Sequence, residues 1–145
     1  MKSDNNSVIA FTLKLLRKFQ MLTFYPVVMD LLDHDSAEVR IQAVQTLLSL
    51  EDPSTINTLM KVYYDQPLEV QFEILRVMKI SKDPCCTNLL KKELSDNTVS
   101  GIKVNAAEAL FALGHQEYLT QQAQNEESSE EFIQIIKYAL REKIC

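Results

Sequence analysis

Between Glu38 and Pro53 the chain reads EVRIQAVQTLLSLEDP, with apolar residues at Val39, Ala43, Val44, Leu47 and Leu48. Steps of three and four set these on one stripe of a helix, whereas a half-buried strand would alternate at every second residue. The pattern returns further along as EVQFEILRVMKISKDP, from Glu69 to Pro84. Val39 then superposes on Val70, Ile41 on Phe72, Val44 on Leu75, Leu47 on Met78 and Asp52-Pro53 on Asp83-Pro84. One more such step brings GIKVNAAEALFALGH into register through Ile102, Val104, Ala107 and Leu110, and another brings EFIQIIKYALREKI through Phe132, Ile136 and Leu140. One step back from Glu38, VIAFTLKLLRKF places Val8, Leu13 and Leu16 at the same positions. Self-similarity at one nearly fixed period is the mark of a repeat architecture.

A second apolar-periodic segment lies in each interval: Phe24–Leu32, Ile56–Tyr63, Thr87–Leu94 and Tyr118–Ala123. Each unit therefore reads as two antiparallel helices and a turn. The predicted helices are 7–21, 24–33, 36–50, 53–64, 67–80, 84–95, 97–113, 116–124 and 128–143. Asp52 and Asp83 stand before Pro53 and Pro84 as N-caps, since proline in a first turn loses no helical hydrogen bond. Ser36 caps the helix carrying Glu38, Ser128 with Glu131 fits a capping box, and Gly114 supplies the left-handed residue that ends FALG. A single helix pair of this size cannot bury its stripe, but stacked pairs share one core, so the pattern predicts a solenoid. The expected organisation is one domain over 1–145, with repeats near 7–33, 35–64, 65–95 and 97–124 and a terminal helix at 128–143.

Composition narrows the class. The 145 residues are 46% hydrophobic and 24% charged, with only 2 Gly and 4 Pro, a soluble globular balance that favours helices over turn-rich sheets. A net charge of −5 disfavours a nucleic-acid partner, which would call for a basic surface. Cys85, Cys86 and Cys145 are odd in number and lack metal-ligand spacing, so reduced thiols are expected. The polar start MKSDNNS does not read as a secretory leader, and no window approaches the roughly 18 apolar residues of a membrane span. A cytoplasmic setting is the expectation.

The stretch DSAEVRIQAVQTLLSLEDP, from Asp35 to Pro53, resembles a HEAT repeat of the short type, named from phycobilin lyases and found in many bacterial proteins. The resemblance is good over 35–64, extends over 65–95 and 97–124, and weakens at both ends. It implies an all-α, right-handed α-solenoid of about four to five stacked antiparallel helix pairs. It also implies that Asp35 and Arg40 tie neighbouring repeats together by hydrogen bonds. Gln71 and Lys103 replace the arginine in the next two copies, so a continuous ladder is not expected.

Candidate chemistry is sparse. Some HEAT-like hydroxylases hold two irons with repeated His-Glu pairs, but His34-Asp35 and His115-Gln116 sit at different repeat positions and do not converge. HEAT-like DNA glycosylases need a basic groove, and neither Glu73 nor Glu108 is surrounded by cations that would bind phosphate. Cys85 and Cys86 begin a helix, a place that can lower a thiol pKa, yet no basic partner is adjacent. Lys14, Arg17 and Lys18 lie on the first helix beside Phe11, Phe19 and Phe24. Apolar residues at this spacing are expected to form a core stripe, with contact to an anionic membrane, or to a partner segment, as the alternatives. No catalytic residue, cofactor or metal is assigned. If helices 36–50, 67–80 and 97–113 line the inner face, as the resemblance implies, a polar ridge of Gln42, Gln45, Ser49, Glu73, Arg76, Asn105, Glu108 and Ala112 is the candidate partner surface. The expected function is non-catalytic protein or peptide binding. The alternatives are an accessory subunit resembling phycobilin lyases, which would need a tetrapyrrole, and a cytosolic domain of a membrane-associated protein.

Overall fold

The apolar stripes wind into nine α-helices among the described residues: α1 (Lys2–Phe19), α2 (Tyr25–Asp30), α3 (Ala37–Ser49), α4 (Thr55–Val62), α5 (Leu68–Ser81), α6 (Thr87–Asp96), α7 (Ser100–Ala112), α8 (Gln116–Gln124) and α9 (Glu130–Ile144). Short 3₁₀ turns at Leu31–Asp33, Tyr63–Asp65 and Pro84–Cys86 complete the connections. This computed structural model describes residues 2–19, 24–50, 52 and 54–144, with side chains described at 6–15, 24–50, 52 and 54–140. The all-α expectation holds.

Two helix starts differ from the expected ones for identifiable reasons. α1 begins at Lys2 rather than at residue 7, because extending a formed helix into a polar turn costs little even without a buried face. α9 begins at Glu130, capped by Ser129, whose Oγ accepts from the Phe132 N–H at 3.2 Å. Ser128 instead donates to the Gln122 carbonyl at 3.2 Å, and Glu131 receives the Ser100 hydroxyl, so the expected Ser128–Glu131 capping box does not form. Ser36 does cap α3, accepting from the Val39 N–H, and Asp83 accepts from the Cys85 N–H at 2.9 Å. Asp52 fixes a turn before α4 by accepting from the Ser54 N–H and hydroxyl, and Pro53 lies outside the described residues.

The chain divides into two compact units, residues 1–77 and 78–145, and the boundary falls within α5. In the first unit α1 and α2 both pack on α3, and α3 packs on α4. The buried Thr46 hydroxyl donates to the Gln42 carbonyl at 2.7 Å and faces the Leu13 carbonyl at 3.3 Å, fastening α3 to α1. In the second unit α7 packs on α6 and α9, and α8 packs on α9. Contact of each helix with the next but one, α1 with α3 and α7 with α9, is how stacked helix pairs share a core.

The repeat register is the burial register. Val39, Val70 and Ile102 are fully buried, as are Val44, Leu75 and Ala107, and Leu47, Met78 and Leu110. Ile41, Phe72 and Val104, the shared second position, are all only partly buried. Val8 breaks the series and is exposed, while Leu13 is buried and the Leu16 side chain lies outside the described residues.

Helix exits also repeat. Lys82 and Gly114, one period apart, both carry left-handed backbone, with φ of 54° and 92°. After α7 the Gly114 N–H bonds the Phe111 carbonyl and the His115 N–H bonds the Leu110 carbonyl, each at 3.0 Å, which satisfies two free carbonyls at the helix end.

Candidate functional site

The ridge residues are divided between the units. In the first unit, Gln42, Gln45 and Ser49 lie on α3 and Glu73 and Arg76 on α5, and all but Arg76 are partly buried. Arg76 donates through Nε and Nη2 to the Glu73 carboxylate at 2.9 and 2.5 Å, a hydrogen-bonded pair that raises the guanidinium pKa further. The Ser49 hydroxyl turns back to the Gln45 carbonyl at 3.2 Å. In the second unit, Asn105 donates to the Gly101 carbonyl at 2.7 Å, and Glu108 accepts from Lys79 Nζ at 3.1 Å. Ala112 lines a shallow pocket with Ile80 and Phe111. The ridge charges are therefore matched within each unit. Lys79, the partner of Glu108, carries no signal in the sequence because it stands on another helix, 29 positions away.

The largest departure from the sequence-based expectation lies on α1 and α2. Val8, Phe11 and Leu15 of α1, Phe24 before α2 and Val27 of α2 expose 63, 63, 41, 38 and 57% of their surface. They do not belong to the core stripe, which on α1 runs instead through Ala10 and Leu13. Val8, Ile9, Thr12, Leu13, Phe24, Val27, Val28 and Leu31 line an apolar groove of about 390 Å³. The Thr12 hydroxyl is bonded to the Val8 carbonyl at 2.9 Å, so the one polar side chain in the lining is already satisfied by its own helix.

Compared with models of protein families, residues 25–111 match HEAT repeats, which is more than half of the 145 residues. The chain belongs to the HEAT-repeat family. No curated protein matches the chain. The HEAT match begins at the first residue of α2 and ends in α7, so the groove is built by the first matched helix together with α1, which precedes the matched region.

Arg40 joins the turn before α3 to the turn before α5. Its Nε donates to the His34 carbonyl and its Nη1 to Gln66 Oε1 at 3.0 Å, while Gln66 Nε2 donates to the Leu32 carbonyl at 3.2 Å. Asp35 is exposed, and the side chain that meets Arg40 is Gln66. Gln71, the counterpart of Arg40, reaches only the Tyr63 carbonyl at 3.1 Å, and Lys103 stands 5.9 Å from the Phe132 ring centroid. Both are too short or too differently placed to repeat the bridge.

The histidines serve turns. His34 Nδ1 accepts from the Ser36 N–H at 3.0 Å, and His115 Nε2 lies 3.3 Å from the Thr87 hydroxyl. Among the described residues no group of three or more His, Cys, Asp or Glu is placed to hold a metal ion, and no helix is long and apolar enough to cross a membrane. Cys85 is exposed and Cys86 buried, with its Sγ on the Asp83 carbonyl. Desolvation, and then the Asp83 carboxylate, pushes the Cys85 thiol to about 11, while desolvation and the neighbouring Cys85 push Cys86 to about 11. The helix start does not activate either thiol. At pH 8 the thiolate fraction of Cys85 is expected to be about a hundredfold below that of an ordinary cysteine, with its alkylation rate rising through pH 11. Stopped-flow alkylation of the Cys86→Ala, Cys145→Ala variant reads this directly, and a midpoint near 9 would contradict it.

Proposed function

We propose that this HEAT-repeat chain is a non-catalytic scaffold that binds a protein partner, and that it works in a reducing, cytoplasmic setting. The observation that carries the reading is the groove between α1 and α2. Contiguous exposed apolar surface around a concavity marks a docking site. Leu13 and Val28 of its lining are buried, so the base of the groove is part of the packed core. An exposed, reduced cysteine at Cys85 suits a reducing compartment. The ridge offers a second face, but its charges are matched internally, so it has less to gain from a partner.

Affinity capture from the cell that makes the protein, with quantitative mass spectrometry, tests the reading. Val27→Glu is expected to deplete a specific protein set that Gln45→Ala and Arg76→Ala retain. Retention by Val27→Glu with loss in the ridge variants would move the docking face to the ridge. Capture insensitive to all three changes would remove the scaffold reading.

A further inference from the structure

We propose that the shallow pocket between the ends of α5 and α7 seats an apolar side chain from an acidic segment of the partner protein, whose carboxylate meets Lys82. The inference rests on the scaffold reading and adds a second docking point, built from other residues than the α1–α2 groove. Lys79, Ile80, Lys82, Phe111 and Ala112 line a concavity of about 390 Å³, all within the second unit. Ile80 exposes 50% of its surface there, while Phe111 and Ala112 are partly buried. An apolar anchor gains by covering them. The pocket is too open to enclose a small molecule, which needs most of its surface buried. A protein segment needs to seat only one side chain there. A bilayer calls for a broader apolar face than Ile80 and its neighbours present.

Charge and backbone select an acidic occupant. The lining holds two lysines and no carboxylate, in a chain whose net charge is −5. Lys79 is already matched, its Nζ 3.1 Å from the Glu108 carboxylate. Lys82 is exposed, and its side chain has no partner among the described residues. The carboxylate of the adjacent Asp83 is turned to the Cys85 N–H at 2.9 Å. A carboxylate on the incoming segment therefore meets an unmatched charge of opposite sign. Lys82 also carries a left-handed φ of 54°, where the matching position one repeat later is Gly114. Among the described residues no other non-glycine residue has a positive φ. Lysine, unlike Asn or Asp, gains no local hydrogen bond from that conformation, and glycine would hold it without strain. A strained position filled by an unpaired cation at the rim of an apolar pocket fits binding better than folding.

The test titrates the isotope-labelled full chain with Gly-Ser peptides carrying one central Leu, flanked by Glu in one peptide and by Lys in the other. A Glu-flanked peptide with Ser in place of that Leu controls for charge alone. Amide NMR shifts on adding the Glu peptide are expected at residues 79–82 and 111–114. The Glu peptide is expected to bind about fivefold more tightly than the Lys peptide, the scale of one exposed ion pair. Lys82→Gly is expected to erase that preference while raising the urea midpoint, since glycine favours the left-handed position. The split separates binding from folding, because a merely structural lysine would leave the preference intact. Equal affinity for the three peptides would overturn the proposal, as would a preference that survives Lys82→Gly. A titration lost in Val27→Glu would move the peptide to the groove and overturn the assignment of this pocket. Absence of shifts with the Glu peptide would overturn it too, and if Val27→Glu still depletes captured proteins, the scaffold reading survives with the groove alone. Co-sedimentation with vesicles of equal parts phosphatidylcholine and phosphatidylserine, lost in Ile80→Ser, would replace the peptide with a membrane.

Discussion

Leu13→Ala is expected to cost about 3 kcal/mol, while Phe11→Ser, two residues away on the same helix, changes stability by less than about 0.5 kcal/mol. Leu13 is 2% exposed and sits where α1 meets α3, beside the Thr46 hydroxyl that faces its carbonyl. Removing its isobutyl group leaves a hole that packed neighbours on α3 cannot close, so the transfer loss and the cavity loss add. Phe11 is 63% exposed and already spends most of its surface in water. Urea unfolding followed by helical circular dichroism gives both values. If Phe11→Ser destabilised the chain as much as Leu13→Ala, the exposed face of α1 would be covered in the free protein. The pair of variants thus measures stability and at the same time tests accessibility.

The repeat register was legible because core burial and sequence period have the same cause. Val39, Val70 and Ile102 recur at one register position, and all three are buried. α1 misleads because apolarity reports only that a position avoids water in some state, not what covers it. Val8, Ile9, Ala10, Phe11, Leu13 and Leu15 spread over an arc wider than one helix contact needs. That width was the available signal: Ala10 and Leu13 serve the core, and the remainder serves a second face. The pairing of Lys79 with Glu108 had no comparable signal, since it depends on which two helices pack and at what height. The same holds for Gln66, a turn residue whose buried side chain answers Arg40 from 26 positions away.

Arg40→Ala and Gln66→Ala are each expected to cost about 2 kcal/mol, and the double variant about 1 kcal/mol less than their sum. Gln66 is 6% exposed, so its amide has no water to replace a lost partner. Arg40→Ala strips one bond from the Gln66 carbonyl oxygen and another from the His34 carbonyl. Gln66→Ala strips the Leu32 carbonyl and leaves one guanidinium N–H without its acceptor. Each single change orphans a group on the other residue, Gln66 Oε1 or the Arg40 Nη1 N–H, that the double change removes altogether, and this is what the coupling measures. Arg40→Lys separates geometry from charge. A point ammonium keeps the charge but cannot address the His34 carbonyl and Gln66 Oε1 through a planar fork, so it is expected to recover less than half of the loss. Gln71 and Lys103 stand at the same register position in the later copies, Gln71 meeting the Tyr63 carbonyl and Lys103 the Phe132 ring in place of the paired acceptors of Arg40. Strict additivity of Arg40→Ala and Gln66→Ala in denaturant unfolding would show that the contacts are independent, and that stacking in the first unit rests on the apolar register alone.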